Sequence, residues 1–302
     1  MKICIIPPIS HLELANYGSG MHMALTHLVT PDRPKYSEFY RERSEKGDFI
    51  LLDNSAFELE KTGKGLDPEP VLNAAKQIQA NEVIATDVLL DGDATVESTR
   101  NFIKEHDKFY LHANEDERIP QIMAVVQGKT MEEWLDCYVR LVHMPGVNTI
   151  GFSKISIPVA FGTSDARTIS GGVARARIAL YNTLTSRKMW PGQMRFGHDY
   201  KDRMAIHLLG GDNWTPYELA KVVMLNTMPN IPYEPIRSND TSAAVWYGAS
   251  AISFNPDDGR ADTLKADKPD LENNYSTTYT NIEANMTTIL QNIAVFHKFA
   301  SK

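Results

Sequence analysis

Apolar runs of strand length recur along this chain without polar interruption: KICIIPP (2–8), DFILLDNS (48–55), EVIATDVLL (82–90), QIMAVVQG (121–128), NTIGFSK (148–154) and MAIHLLGG (204–211). A strand with one face in water alternates apolar and polar residues, so uninterrupted runs belong to strands covered on both faces, as in a parallel sheet. Helical patterns lie between several of them. Val71, Leu72, Ala75 and Ile78 within 70–81, and Met131, Trp134, Leu135, Tyr138, Leu141 and Val142 within 130–143, recur at i, i+3, i+4 spacing. Helix starts are marked too: Thr130 with Glu133, and Thr215 with Pro216 and Glu218, fit capping boxes. Strand and helix in alternation predict a parallel sheet. Further strands near 236–242 and near 249–254 bring the count to the eight of a (β/α)8 TIM-like barrel. An open doubly wound sheet is the alternative, but no GxGxxG follows a first strand to favour it.

The expected unit is a single barrel domain over residues 1–302. Irregular insertions are expected near 156–175, which holds Pro158, Gly162, Gly171 and Gly172, and in the charged, turn-rich NPDDGRADTLKADKPDLENN (255–274). A last amphipathic helix is expected near 282–299. At 42% hydrophobic residues the chain has the composition of a soluble globular protein. MKICIIPPIS, with one Lys and a short apolar run ended by two prolines, fits a first strand rather than a signal peptide or membrane span. Cys4 and Cys137 are too few and too far apart for a disulfide framework or a Cys-rich zinc site, which points to a reducing, cytoplasmic setting. A net charge of −7 argues against coating nucleic acid by bulk electrostatics and leaves a local basic patch open.

In a βα barrel the active site sits where strands end and lead into helices. Those positions hold Asp53, Asp87, Gln127, Lys154, His207 with Gly210 and Gly211, and Asp240 in RSNDTSAAVWYG (237–248). Any one Asp there serves equally as a helix cap or turn former. Gln127 is not needed as a cap, because Thr130 supplies one. Two carboxylates without a metal suit chemistry at a glycosidic carbon, one at the anomeric centre and one moving a proton on the leaving group. Asp87 and Gln127 offer an acceptor and a donor for the edge of a heterocyclic base; Phe57 serves for stacking on it or for ordinary core packing. His198 and His207 are read as structural, and no metal site is expected.

DNSAFE (53–58) resembles the DSGGFQ-type motif of the queuine/archaeosine tRNA-guanine transglycosylases. AVVQG (124–128) is similar to their VQGG strand, HLLGGDNWTPYEL (207–219) to their LMGVGTPEDL segment, and ATDVLLDG (85–92) lies where they carry a base-reading Asp. Order and approximate spacing agree from about residue 48 to about 245. The resemblance implies Asp240 as nucleophile, Asp53 as general acid/base, Asp87 and Gln127 as the guanine-recognition pair, and Phe57 and Leu209 as the residues that sandwich the base, beside Gly210. It leaves the role of Lys154 open between phosphate, incoming base and a neighbouring carboxylate.

The chain also departs from that family. Its tRNA-acting members carry a CxCxxC…H zinc subdomain near the C-terminus, and here no cysteine follows Cys137. Asn54, Ser55 and Ala56 replace S-G-G, Glu58 replaces Gln, and GFSKIS (151–156) lacks the GG of the base-contacting loop. A short relative without the zinc subdomain is similar to the phage-type DNA-guanine transglycosylases, which exchange guanine in DNA for a 7-deazaguanine such as preQ0 or preQ1. That resemblance implies DNA with a flipped guanine and a free 7-deazaguanine as partners, no cofactor, no membrane, and the cytoplasm, including that of a phage-infected cell. It leaves a homodimer open.

For the polymer, the segment 167–203 carries Arg167, Arg175, Arg177, Arg187, Lys188, Arg195, Lys201 and Arg203 against Asp199 and Asp202, with Trp190, Phe196 and Tyr200 interleaved. Such a segment fits phosphate contacts beside a flipped base, or a merely solvated basic helix. In the implied double displacement, Asp240 is oriented by Ser238, Asn239, Thr241 and Ser242. The rival readings are a tRNA-acting enzyme, a small-molecule nucleoside hydrolase or deoxyribosyltransferase, and an inactive nucleic-acid-binding barrel.

Overall fold

A computed structural model describes residues 1–56, 67–115, 117–166, 168–194, 204–228, 231, 234–261 and 282–301. Its centre is eight parallel strands: β1 (Lys2–Ile5), β2 (Met21–Leu25), β3 (Phe49–Asp53), β4 (Glu82–Ile84), β5 (Gln121–Val126), β6 (Val147–Ser153), β7 (Ala205–Leu209) and β8 (Ile236–Thr241). They hydrogen-bond in the order β1-β8-β7-β6-β5-β4-β3-β2, a nearly closed (β/α)8 barrel. At the seam between β1 and β2 there is no ladder, and side chains take over the backbone groups. Ile3 donates its N–H to Ser19 Oγ (3.0 Å), Ser19 donates its own to Ile3 O (2.9 Å), and Tyr36 Oη accepts from Leu25 N (2.8 Å).

The uninterrupted runs have their expected cause. All five residues of β2 and the last five of β5 are buried, because the barrel is filled inside and wrapped by helices outside. Helix starts follow local chemistry. Asp67, Asp91 and Thr130 cap the helices Pro68–Ile78, Gly92–Phe109 and Met131–Val142 through side-chain oxygens that accept from Glu69, Ala94 and Glu133 N–H. The Glu133 carboxylate reaches back one residue beyond the cap, accepting from Lys129 N (2.8 Å), so the Thr130 cap forms without the reciprocal bond of a full capping box. The second expected box does not form either. Trp214 holds the cap position of the Thr215–Asn226 helix, Thr215 Oγ1 bonds to Asp212, and Glu218 is fully buried.

Three further expectations are corrected. The eighth strand is β2, not 249–254, where the Ala243–Ala249 helix ends and a turn follows. In MHMAL the polar His22 breaks the apolar run and Gly18 and Gly20 lie just before it, so it does not stand out as a strand. The stretch 156–175 is irregular only in part, with a short helix at Ser156–Phe161, turns and bends over 162–166 and 168–171, and the start of a long helix, Gly172–Arg187. The doubly wound alternative falls with the strand order. The final helix is Met286–Ala300, and of 255–274 only residues 255–261 lie within the described part. Among the described residues no helix is long and apolar enough to cross a membrane.

Candidate active site at the barrel mouth

Because every strand runs the same way, the C-terminal ends of β3 to β8 bring Asp53, Asp87, Gln127, Lys154, Leu209, Gly210 and Asp240 to one end of the barrel. The Asp240 carboxylate, on β8, is buried and held by two donors on one oxygen. Oδ1 accepts from His207 Nε2 (3.0 Å) and from the Gly210 backbone N–H (2.9 Å), while Oδ2 takes no hydrogen bond among the described residues. His207 is pinned in turn, with Nδ1 2.8 Å from Ser238 Oγ. A bulge supports this alignment: β7 and β8 pair Ile206 with Ile236 and then His207 with Ser238, so Arg237 is the extra residue. Arg237 donates to Glu82 Oε2 (2.6 Å), a buried carboxylate on β4 that also accepts from Thr149 Oγ1. Beside Asp240 in register, Cys4 is buried, and burial with the nearby carboxylate pushes its thiol well up, so it stays protonated and uncharged.

The support of Asp240 differs from the expected one. Ser238 acts through His207, and Asn239 donates to Leu208 O (2.9 Å) and Gly210 O (3.2 Å), so it holds the turn that carries the N–H donor. Thr241 Oγ1 accepts from Ala243 N (3.0 Å), at the start of the next helix. His207 was legible only as an isolated buried histidine, since its link to Asp240 joins two strands. Gly210 has φ +66°, and a Cβ there would stand 2.4 Å from Lys154 Cδ; a side chain would displace both the turn and the lysine stem that crosses it. Lys154 itself is exposed, beside the Gly210 turn and thus beside the Asp240 support.

Asp87 and Gln127, after β4 and β5, form one buried unit. Gln127 Nε2 donates to Asp87 Oδ2 (2.6 Å), and Gln127 Oε1 accepts from Leu90 N (3.0 Å), which fixes which end of the carboxamide is which. Asn54 is a third member that sequence reasoning placed only as a departure from a motif. Its Nδ2 donates to Asp87 Oδ1 (2.8 Å) and Ala85 O (2.6 Å), and its Oδ1 accepts from Ala56 N (2.8 Å). Ser55, next in the chain, is left-handed at φ +61°, and its Oγ lies 2.8 Å from His27 Nδ1. Burial drives the His27 pKa down to about 4, so this imidazole is neutral at physiological pH. Asp53 closes β3, half-buried, with its carbonyl accepting from Thr26 Oγ1 (2.6 Å). Phe57 and Glu58 lie outside the described residues.

Among the described residues, the basic side chains of the segment 167–203 do not share one surface. Arg177 is fully buried: it donates to Phe152 O (2.8 Å), Leu209 O (2.6 Å) and Gly210 O (2.9 Å) and faces Glu218 at 3.5 Å. The expectation that it binds nucleic acid is therefore wrong; its guanidinium ties together the Phe152, Leu209 and Gly210 carbonyls at the ends of β6 and β7. Arg187 and Lys188 are exposed at the far end of the Gly172–Arg187 helix, about 18 Å along it from Arg175. That helix packs against the Ser156–Phe161 and Thr215–Asn226 helices, and its start is tied to Asp212 beside the mouth, so its other end lies away from the mouth. Of the exposed basic residues described in the segment, Arg175 is the one on the mouth side. Trp190 is buried in the core, and Arg167, Arg195, Phe196, His198, Tyr200, Lys201 and Arg203 lie outside the described residues.

Glu218 beside Arg177 is a buried carboxyl with a raised pKa. Burial pushes its pKa up to about 7 against the opposing pull of Arg177 and of the Tyr181 hydroxyl, which donates to Oε1 (2.6 Å). A carboxyl whose folded pKa exceeds its ordinary value of 4.5 contributes stability that is present below pH 4.5 and lost as pH rises through about 7. The expected loss is on the order of 3 kcal/mol across that window. Urea unfolding of wild type and Glu218→Gln at pH 4.5 and 7.5 checks it: the wild type should lose stability relative to the variant on going to the higher pH, and parallel curves would contradict the assignment.

Among the described residues no group of three or more His, Cys, Asp or Glu side chains is arranged to hold a metal ion. Comparison of the chain with protein-family models gave no match, and comparison with curated proteins gave none.

Proposed function

We propose that this barrel exchanges guanine in DNA for a free 7-deazaguanine base of the preQ0 or preQ1 type, through a covalent glycosyl-aspartate. The observation that carries the proposal is the asymmetric hold on Asp240. One oxygen is fixed by an imidazole and a backbone N–H, and the other is left without a hydrogen bond at the mouth that also holds the Asp87–Gln127–Asn54 unit. A carboxylate nucleophile needs one oxygen available to the electrophile, and this hold orients Asp240 while keeping Oδ2 for that bond.

In the first displacement Asp240 Oδ2 attacks C1′, the C1′–N9 bond breaks with its electrons passing to the base, and Asp53 donates a proton to the departing guanine. The 7-deazaguanine then takes the vacated pocket. Its N9–H proton passes to the Asp53 carboxylate, N9 forms the new bond to C1′, and the Asp240 carboxylate leaves. Two inversions retain the anomeric configuration. Asp87 accepts hydrogen bonds from the edge of the base, held in place by Gln127 and Asn54, and Lys154 sits beside the turn that steadies the nucleophile.

The testing experiment incubates purified protein with guanine-labelled DNA and, in parallel, labelled bulk tRNA, each with preQ0 or preQ1. Label release from DNA that requires the incoming base is the expected result. Release from tRNA alone would move the same chemistry to tRNA, and release from neither would overturn the proposal.

A further inference from the structure

Four residues beyond Gly210, the chain builds a feature that the basic segment did not suggest. Two guanidinium groups lie against the Trp214 ring, Arg260 at 4.2 Å and Arg175 at 4.9 Å from its centroid. Arg260 also covers Tyr217 at 4.3 Å, and Lys221 lies 5.2 Å from the same ring. Three loops meet here, and buried Asn213 joins them: Oδ1 accepts from Gly171 N (3.1 Å), Nδ2 donates to Ser170 Oγ (2.6 Å) and Ala261 O (2.7 Å), and its carbonyl accepts from Ala261 N (2.9 Å). The cluster is therefore fixed in place rather than a set of mobile surface chains.

Its charge is not neutralised. Among the described residues none of Arg175, Arg260 and Lys221 is ion-paired with a carboxylate, and Arg260 Nε is buried without a hydrogen-bond partner. The carboxylates of the same loops are turned to backbone. Asp212 accepts from Val173, Ala174 and Trp214 N–H, and Asp258 accepts from Arg260 N. Aromatic faces carrying unpaired guanidinium groups match a polymer that alternates anionic phosphates with flat bases. The cluster starts from the β7 end, in the same turn that supplies the Asp240 donor, so it borders the mouth.

We infer that Arg175, Trp214, Tyr217 and Arg260 form a rim site that grips the polynucleotide strand flanking the base delivered to the mouth. This rests on the base-exchange reading for its choice of a strand, and binding can be measured without any chemistry. The experiment is fluorescence anisotropy of a fluorescein-labelled single-stranded DNA oligonucleotide with the full chain at several salt concentrations. Arg175→Gln with Arg260→Gln should weaken binding about tenfold to a hundredfold and lower the slope of log affinity against log salt by about 1.4, two phosphate contacts on a single strand. The paired Lys replacements should restore most of the slope, which separates charge from folding, and Arg187→Gln with Lys188→Gln should leave binding unchanged. Wild-type affinity in the Gln pair, no DNA binding by the wild type, or equal competition by polyglutamate would each overturn the rim site. DNA held through the rim without guanine exchange would keep it and sink the transglycosylase reading; exchange with an indifferent Gln pair would do the reverse.

Discussion

Asp240→Asn is expected to reduce guanine exchange by about 10⁴-fold or more while DNA binding persists. The substitution keeps the shape and one carbonyl oxygen, so His207 and the Gly210 N–H retain an acceptor on Oδ1. It removes the anionic oxygen that forms the bond to C1′, and a carboxamide does not replace it as a nucleophile. A second readout separates this from simple damage. Wild-type protein mixed with DNA and no incoming base should accumulate a denaturant-resistant protein–DNA adduct, and the Asn variant should accumulate none. An adduct that survives the substitution would place the nucleophile elsewhere, with Asp53 the first residue to test.

Arg177→Ala should produce the largest loss of stability, about 3–5 kcal/mol. Its guanidinium is fully buried and holds three strand-end carbonyls, and its removal leaves Phe152, Leu209 and Gly210 oxygens and the Glu218 carboxyl without their main partner. At roughly 2–4 °C per kcal/mol for chains of somewhat smaller size, a drop of about 6–20 °C in the melting temperature follows. Calorimetry at pH 7 tests it. Exchange activity below the melting temperature should fall too, because the Gly210 turn also carries the Asp240 donor. A variant that melts within 2 °C of wild type would mean that water replaces the guanidinium and that the turn holds itself.

Several parts of this protein were legible because they depend on neighbours in sequence. Burial of a strand on both faces shows as an unbroken apolar run, the Thr130 cap needs only residues three apart, and strand-end carboxylates follow from strand position. MHMAL failed this test because His22 interrupts its apolar run, although the strand is completely buried and the imidazole is bonded to Asp48. Arg177 misled for a related reason. Charge density counted along the chain treats a helix as one surface, whereas a helix packed on the outside of a barrel turns one face to solvent and the other to core, with a period of about 3.6 residues. Arg175 and Arg177, two residues apart, accordingly face water and core.

The sequence by itself determined the alternation of strand and helix, the parallel sheet, and the presence of Asp53, Asp87, Gln127 and Asp240 at one end, since local periodicity and strand direction suffice for these. Only the tertiary structure decided which groups serve them. His207 with Asp240, Asn54 with Asp87 and Arg260 with Trp214 are pairs separated by 33, 33 and 46 positions. Hydrogen bonds and ring contacts act over a few ångströms of space and leave no periodic trace in the chain, so closure of the barrel was required to bring these partners together.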